Sequence, residues 1–153
     1  MQKNRIFQGI AGLVILAGVA RYVYTLTQVP WTPTFGAAAA AFVFISLAAA
    51  WLLLRRHPGR PKTPWWLPAS LLAGAALCGV LPPVNTAYLS STADLPDVVA
   101  YLFSPFPEET AKLLAVFFVV AVFAPVRRPV EAAVAGMAVG AGYTVAETVT
   151  NSA

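Results

Sequence analysis

Charged residues are scarce in this sequence. Lys, Arg, Asp and Glu make up 10% of its 153 residues and hydrophobic residues 59%, whereas a soluble domain carries roughly 25% charged residues. A soluble globular domain is therefore excluded, and we predict an all-α, polytopic membrane protein with a single transmembrane domain over residues 1–153. Because the charges fall in short clusters between apolar stretches, the net charge of +4 reflects topology, and no nucleic-acid partner is expected.

Cysteine and histidine occur once each, as Cys78 and His57. A single cysteine excludes an internal disulfide and a multi-cysteine metal site. Cys78 lies in an apolar stretch, and His57 lies in a basic loop where we expect it to be solvated. The sequence also lacks internal repeats, a glycine-rich phosphate loop, a Ser-His-Asp set and an H-E-x-x-H pattern. Any catalytic chemistry therefore rests on other side chains.

Five apolar stretches are each long enough to cross about 30 Å of hydrocarbon as a helix, which takes about 20 residues. We predict these spans at Ile6–Leu26, Phe35–Leu54, Trp65–Val84, Pro107–Ala124 and Pro129–Thr150. The piece between Pro96 and Phe106 is too short to cross, and it fits a short interfacial or re-entrant helix. The last two spans are joined by a tight turn and are expected to form an antiparallel hairpin.

Basic loops alternate with neutral or acidic ones, and the positive-inside rule places the basic loops in the cytoplasm. The basic clusters are Lys3 and Arg5; Arg55, Arg56, Arg60 and Lys62; and Arg127 and Arg128. The N-terminus is then cytoplasmic and the C-terminus outside. The first stretch also fits a cleavable signal peptide, which is an open alternative.

Two acidic motifs stand in the last two predicted spans. Glu108, Glu109 and Lys112 open the first of them, and Tyr143 and Glu147 close the second. An ionisable side chain within a span costs on the order of 3 kcal/mol, so such residues usually face a bundle interior and mark function. Measured from the tight turn at 1.5 Å per residue, Glu109 and Glu147 both rise roughly 27 Å, so we predict them at one level, towards the outer end of the bundle.

Helical phase predicts which faces carry these groups. Gly136, Gly140 and Tyr143 lie within about 60° of Glu147, and small residues permit close helix approach, so we predict that this face is packed. Lys112 is predicted to pair with Glu108, four residues away, while Glu109 points elsewhere. Two simpler explanations stay open: Pro107 followed by two glutamates is ordinary helix-start chemistry, and Glu147 can simply be solvated.

Clustered carboxylates in a protein-lined cavity can perform general acid–base chemistry. One carboxylate takes a proton from water while another donates to a leaving nitrogen. This is a peptide hydrolase mechanism that needs neither serine nor cysteine. A zinc site would require histidine or cysteine ligands beside the carboxylates, and the sequence offers none at that depth.

At these residues the sequence resembles the PrsW family of bacterial intramembrane proteases, relatives of the CAAX prenyl endopeptidases. The family shows E-E-x-x-K at the start of one transmembrane helix and a glycine-rich run ending F-x-x-x-E-N on the next. The resemblance covers about residues 107–151, with Tyr143 in place of Phe and Thr148 in place of Asn. The family also carries histidines on later helices, so we expect this chain to be an N-terminal part of such a protein or a short member of the family.

The resemblance implies an endopeptidase of the bacterial cytoplasmic membrane that cleaves membrane-anchored proteins, including anti-sigma factors, on their extracytoplasmic side. It implies Glu108, Glu109 and Glu147 as catalytic or metal-site residues and Lys112 as a charge partner, with Tyr143 in support, while Glu131 matches an acidic position at the cytoplasmic helix end. Whether a divalent metal takes part is left open. Two other functions are compatible with the sequence: a non-catalytic membrane scaffold of the same fold and a small proton-coupled transporter.

Overall fold

The computed structural model describes residues 2–103 and 105–152. Within these two ranges the chain forms six α-helices and no β-strand, which confirms the all-α prediction. The helices are α1 (Gln2–Thr27), α2 (Pro33–Arg56), α3 (Trp66–Ser91), α4 (Asp97–Phe103), α5 (Pro105–Val122) and α6 (Pro129–Asn151).

Four of these helices, α1, α2, α3 and α6, are long and apolar enough to cross a membrane. They correspond to four of the five predicted spans. The fifth prediction falls on α5, which has 18 residues and so rises about 27 Å, but it carries three charged side chains near its start. It packs against α3 and α6, and its first residues lie beside the end of α6, which confirms the antiparallel hairpin.

Helix α3 is longer than the predicted span. It continues to Ser91 through Pro82 and Pro83, about two turns beyond Val84. Hydropathy falls at Asn85, and this ends the apolar stretch without ending the helix. Helix α4 lies in the piece for which a short helix was expected.

Helix α3 forms the centre of the bundle, where it packs against α1, α5 and α6. Its buried face is rich in small residues, and two of them bring backbones into direct contact. A methyl group at Gly74 would overlap the Val139 carbonyl of α6, and one at Gly79 would overlap the Gly18 carbonyl of α1. Gly142 of α6 meets the Leu71 carbonyl in the same way. Glycine is therefore required where these helices cross.

The close approach on α6 is not at the predicted glycines. A Cβ at Gly140 would meet nothing within 4 Å, and one at Gly136 would make an ordinary 3.7 Å contact with Val116 of α5. The predicted tight packing at Gly140 is therefore not observed. The reason is rotational: α6 turns Gly142 towards α3, and Gly140 lies about 200° away around the helix.

The basic loops converge at one end of the bundle, which we call the basic end. Gln8 Nε2 of α1 donates to the Val122 carbonyl over 3.2 Å, and Thr63 Oγ1 donates to the Phe123 carbonyl over 2.7 Å. Glu131, which is buried, accepts the backbone N–H of Arg127 at 2.8 Å and Arg128 Nε at 3.1 Å. The start of α1, the loop after α2 and the turn before α6 are thus held together.

The glycine contacts predict opposite effects for two alanine substitutions on α6. Gly142→Ala should lower the free energy of unfolding by about 1 to 3 kcal/mol, because the added methyl group forces two backbones apart. Gly140→Ala should leave it unchanged or raise it by up to about 1 kcal/mol, because alanine favours the helix and meets open space. Thermal unfolding of the purified variants in detergent measures the difference, and equal losses would contradict the observed rotation of α6.

Candidate functional site

Lys112 is bound to both glutamates at the start of α5. Its Nζ lies 2.6 Å from Glu108 Oε1 and 2.9 Å from Glu109 Oε1. The prediction that Lys112 holds only Glu108 is therefore wrong. On a helix, residues three and four apart both lie within reach of one long side chain. The single ammonium of Lys112 therefore offsets part of the negative charge of each carboxylate.

The same ammonium connects α5 to α6. Lys112 Nζ stands 4.3 Å from the centre of the Tyr143 ring, a cation–π distance. The Tyr143 hydroxyl in turn donates to Glu147 Oε1 over 3.0 Å. The two acidic motifs thus meet through Lys112 and Tyr143. We call Glu108, Glu109, Lys112, Tyr143 and Glu147 the carboxylate cluster.

The two glutamates of α5 differ in exposure. The Glu108 side chain is 28% exposed and that of Lys112 is 25% exposed, whereas the Glu109 side chain is 66% exposed. Water screens a charge pair more strongly as its exposure rises. The Lys112–Glu108 pair is therefore the stronger of the two, and Glu109 has the greater freedom to move.

Helices α1 and α3 complete the surroundings of the cluster. The Cys78 thiol of α3 lies 3.7 Å from the carbonyl of Tyr143, a member of the cluster. The Tyr22 hydroxyl of α1 donates to the Ala146 carbonyl, one residue before Glu147, over 2.8 Å. Neither residue is predicted from the sequence, because a single cysteine in α3 and a tyrosine in α1 carry no spacing signal that relates them to the acidic motifs.

The C-terminal half of α3 offers hydrogen-bond acceptors. Asn85 Oδ1 is buried and has no partner among the described residues, although buried polar atoms are nearly always paired. Asn85 lies seven residues after Cys78, so it shares that face of α3 about 10 Å further along. Pro82 and Pro83 lack an N–H, so they leave the carbonyls four residues before them without a helical donor.

The histidine and the fourth glutamate of the sequence lie away from the cluster. His57 follows the end of α2 in the basic loop, where its Nδ1 accepts the Gly59 N–H over 3.0 Å. Glu131 opens α6 and holds Arg128 through an ion pair of 3.0 Å. Both therefore have structural contacts at the basic end.

A family profile described as PrsW family intramembrane metalloprotease matches residues 62–151, more than half of the 153 residues. The chain belongs to this family. The matched region contains α3, α4, α5 and α6, so it is wider than the motif region around the cluster. No curated protein matches the chain, and no solved structure matches it.

The PrsW description implies a metal ion, which the side chains described here do not fit in their present arrangement. Among the described residues, no group of three or more His, Cys, Asp or Glu is placed to hold a metal ion. Glu108 and Glu109 already bind the ammonium of Lys112, and Glu147 accepts a hydrogen bond from the Tyr143 hydroxyl. In this arrangement the three carboxylates of the cluster are the partners of one ammonium and one hydroxyl.

Double-mutant cycles should separate the two ion pairs of Lys112. We expect the coupling between Lys112→Met and Glu109→Gln to be about 0.2 to 1 kcal/mol, as for exposed pairs. The coupling with Glu108→Gln should be larger, because that carboxylate is less exposed to solvent. Unfolding of the four variants of each cycle in detergent measures both energies. A larger coupling for Glu109 would contradict the observed burial.

Proposed function

We propose that the protein is an intramembrane endopeptidase that hydrolyses peptide bonds of membrane-anchored proteins at the carboxylate cluster. Membership of the PrsW family supports proteolysis in the membrane in general. The observation that carries the assignment of the site is the contact between the two acidic motifs, in which Lys112 touches Tyr143 and Tyr143 touches Glu147. Helix-start chemistry alone does not account for this contact between two helices.

In this proposal Glu147 is the general base. It is not ion-paired with Lys112, and its hydrogen bond from the Tyr143 hydroxyl holds the carboxylate in one orientation. Glu147 takes a proton from water as the oxygen attacks the peptide carbonyl, and it passes that proton to the amine nitrogen when the C–N bond breaks. A positioned acid or base of this kind contributes roughly 10²- to 10⁴-fold to a rate.

Lys112 and its two carboxylates have a different role in the proposal. The attack on the carbonyl creates an oxyanion, and a fixed positive charge or hydroxyl donor beside it stabilises the transition state. Lys112 supplies the charge, and Glu108 and Glu109 hold its ammonium against the Tyr143 ring. Loss of either glutamate would then act through the position of Lys112.

We further propose that the basic end faces the cytoplasm of a bacterium and that cleavage occurs near the extracytoplasmic face of its membrane. The convergence of three basic loops at one end supports this orientation, because such loops are retained inside. Single-span anti-sigma factors fit a site at that depth and are the substrate class that we propose.

Glutamine substitutions test the site, since they keep the shape of glutamate and remove its charge. Glu147→Gln should lower cleavage by roughly 10²-fold or more, and Glu108→Gln should have a large effect because Lys112 loses its less exposed partner. Glu131→Gln, at the other end of α6, is the matched control and should lower cleavage only as far as it lowers the amount of folded protein. Gel mobility of a single-span membrane substrate in cells that express the natural protein measures cleavage.

Near-normal cleavage by the Glu147→Gln variant would overturn the proposed base. The scaffold or the proton-coupled transporter would then account better for the cluster. Tyr143→Phe refines the test, because it removes the hydrogen bond to Glu147 and keeps the ring above Lys112. We expect it to retain fold and to lose part of the activity.

Cysteine labelling tests the orientation separately. In a Cys78→Ala background, Pro58→Cys lies in the exposed loop of the basic end, and Asp94→Cys lies in the exposed connection before α4. An impermeant thiol reagent added to intact cells should label the second variant and spare the first. The reverse pattern would place the carboxylate cluster on the cytoplasmic side.

A further inference from the structure

The basic end contains a cavity of about 620 Å³ between the end of α2 and the start of α3. Its lining includes the cations Arg55, Arg60, Lys62 and Arg128 and the indole rings of Trp51 and Trp66, and it includes no carboxylate. Arg128 is bound to Glu131. Among the described residues, no acidic side chain pairs with the other three cations.

The loop that carries these cations is held in one conformation. The Gly59 N–H donates to His57 Nδ1 at 3.0 Å, and Arg60 donates from its guanidinium to the Arg55 carbonyl. Gly59 also lies against Val130 of α6, and the prolines at positions 58, 61 and 64 restrict the backbone further. A solvated run of charges needs no such order, whereas a binding site gains affinity from it.

An apolar cavity of about 400 Å³ lies next to the basic one along the same two helices. The two share Trp51, and the lining of α3 passes from Trp66 and Leu67 in the basic cavity to Pro68 and Leu71 in the apolar one. Helix α2 leaves room for this space because Leu54 is its only buried residue. A polar cavity that carries cations and continues into an apolar one has the shape and charge of a phospholipid site.

We propose that an anionic phospholipid binds here, with its phosphate headgroup among Arg55, Arg60 and Lys62 and one acyl chain in the apolar cavity. Arginine binds phosphate oxygens through two parallel hydrogen bonds, and basic pockets between transmembrane helices are suited to anionic headgroups. Indole rings such as those of Trp51 and Trp66 favour the level of the headgroups. The bound chain fills the space between α2 and the rest of the bundle, so the lipid holds α2 in place. The site is independent of the proposed proteolysis.

Three probes separate the lipid from a simple anion. Phosphatidylglycerol, added to the purified protein in detergent, should raise the melting temperature and remain bound in native mass spectrometry. Phosphatidylcholine with the same acyl chains should do so weakly, because its headgroup carries no net charge. Inorganic phosphate should have no effect, because it lacks the acyl chain. An equal rise in melting temperature with both lipids would overturn the proposed role of the cations. A rise with inorganic phosphate alone would overturn the assignment of a lipid as the ligand.

Matched variants locate the site. The double variant Arg55→Gln and Lys62→Gln should weaken binding of phosphatidylglycerol roughly 30-fold, because it removes two cations that contribute about 1 kcal/mol each. The control Arg5→Gln and Arg127→Gln removes the same charge outside the cavity and should bind as the unaltered protein does. Arg55→Lys with Lys62→Arg keeps both charges and should retain the lipid. An equal loss of affinity for phosphatidylglycerol in the two glutamine double variants would show that the lipid is attracted by the overall positive charge, and it would overturn the proposed site.

Ala75→Leu tests the acyl chain without changing any charge. Ala75 lines the apolar cavity, and the larger side chain should fill part of it and reduce the retention of phosphatidylglycerol. Melting of the lipid-free variant shows whether the bundle itself is intact. Unchanged lipid retention by a folded Ala75→Leu variant would overturn the assignment of the acyl chain.

Discussion

The direct backbone contact between α3 and α6 determines where the other parts of the bundle lie. Gly74 and Gly142 allow each helix to touch a carbonyl of the other, a separation that any side chain would prevent. With the helices this close, Cys78 reaches the backbone of Tyr143, and the end of α6 faces the bundle interior. Helix α5 then packs on both, and its lysine meets the tyrosine ring.

The charged side chains differ in whether they have a partner of opposite charge or a hydrogen-bond donor. The four glutamates have partners: Glu108 and Glu109 share Lys112, Glu147 has a tyrosine, and Glu131 has Arg128. Since an unpaired charge is costly away from water, these contacts explain how the acidic residues are tolerated. In the cavity at the basic end, Arg55, Arg60 and Lys62 have no acidic partner among the described residues, and this difference leads to the proposed lipid site.

The carboxylate cluster lies entirely within the part of the chain that matches the family. The PrsW match begins at residue 62 and includes every helix that carries a member of the carboxylate cluster. Helices α1 and α2 precede the match. Helix α1 still contributes to the surroundings of the cluster through the Tyr22 hydroxyl, whereas α2 packs loosely and borders both cavities of the proposed lipid site. Helices α1 and α2 therefore contribute to the bundle and border the proposed lipid site, and they carry no member of the carboxylate cluster.

The sequence by itself determined the all-α membrane fold, four spans, the final hairpin and the residues of the two acidic motifs. These follow from hydropathy, charge and spacing along one helix, which are local properties. Only the tertiary structure decided that Lys112 binds both Glu108 and Glu109, that Gly142 replaces Gly140 in the close contact, and that Cys78 and Tyr22 border the cluster. Each of these depends on how a helix is rotated about its axis and on which distant helix it meets, and neither quantity is contained in the local pattern of residues.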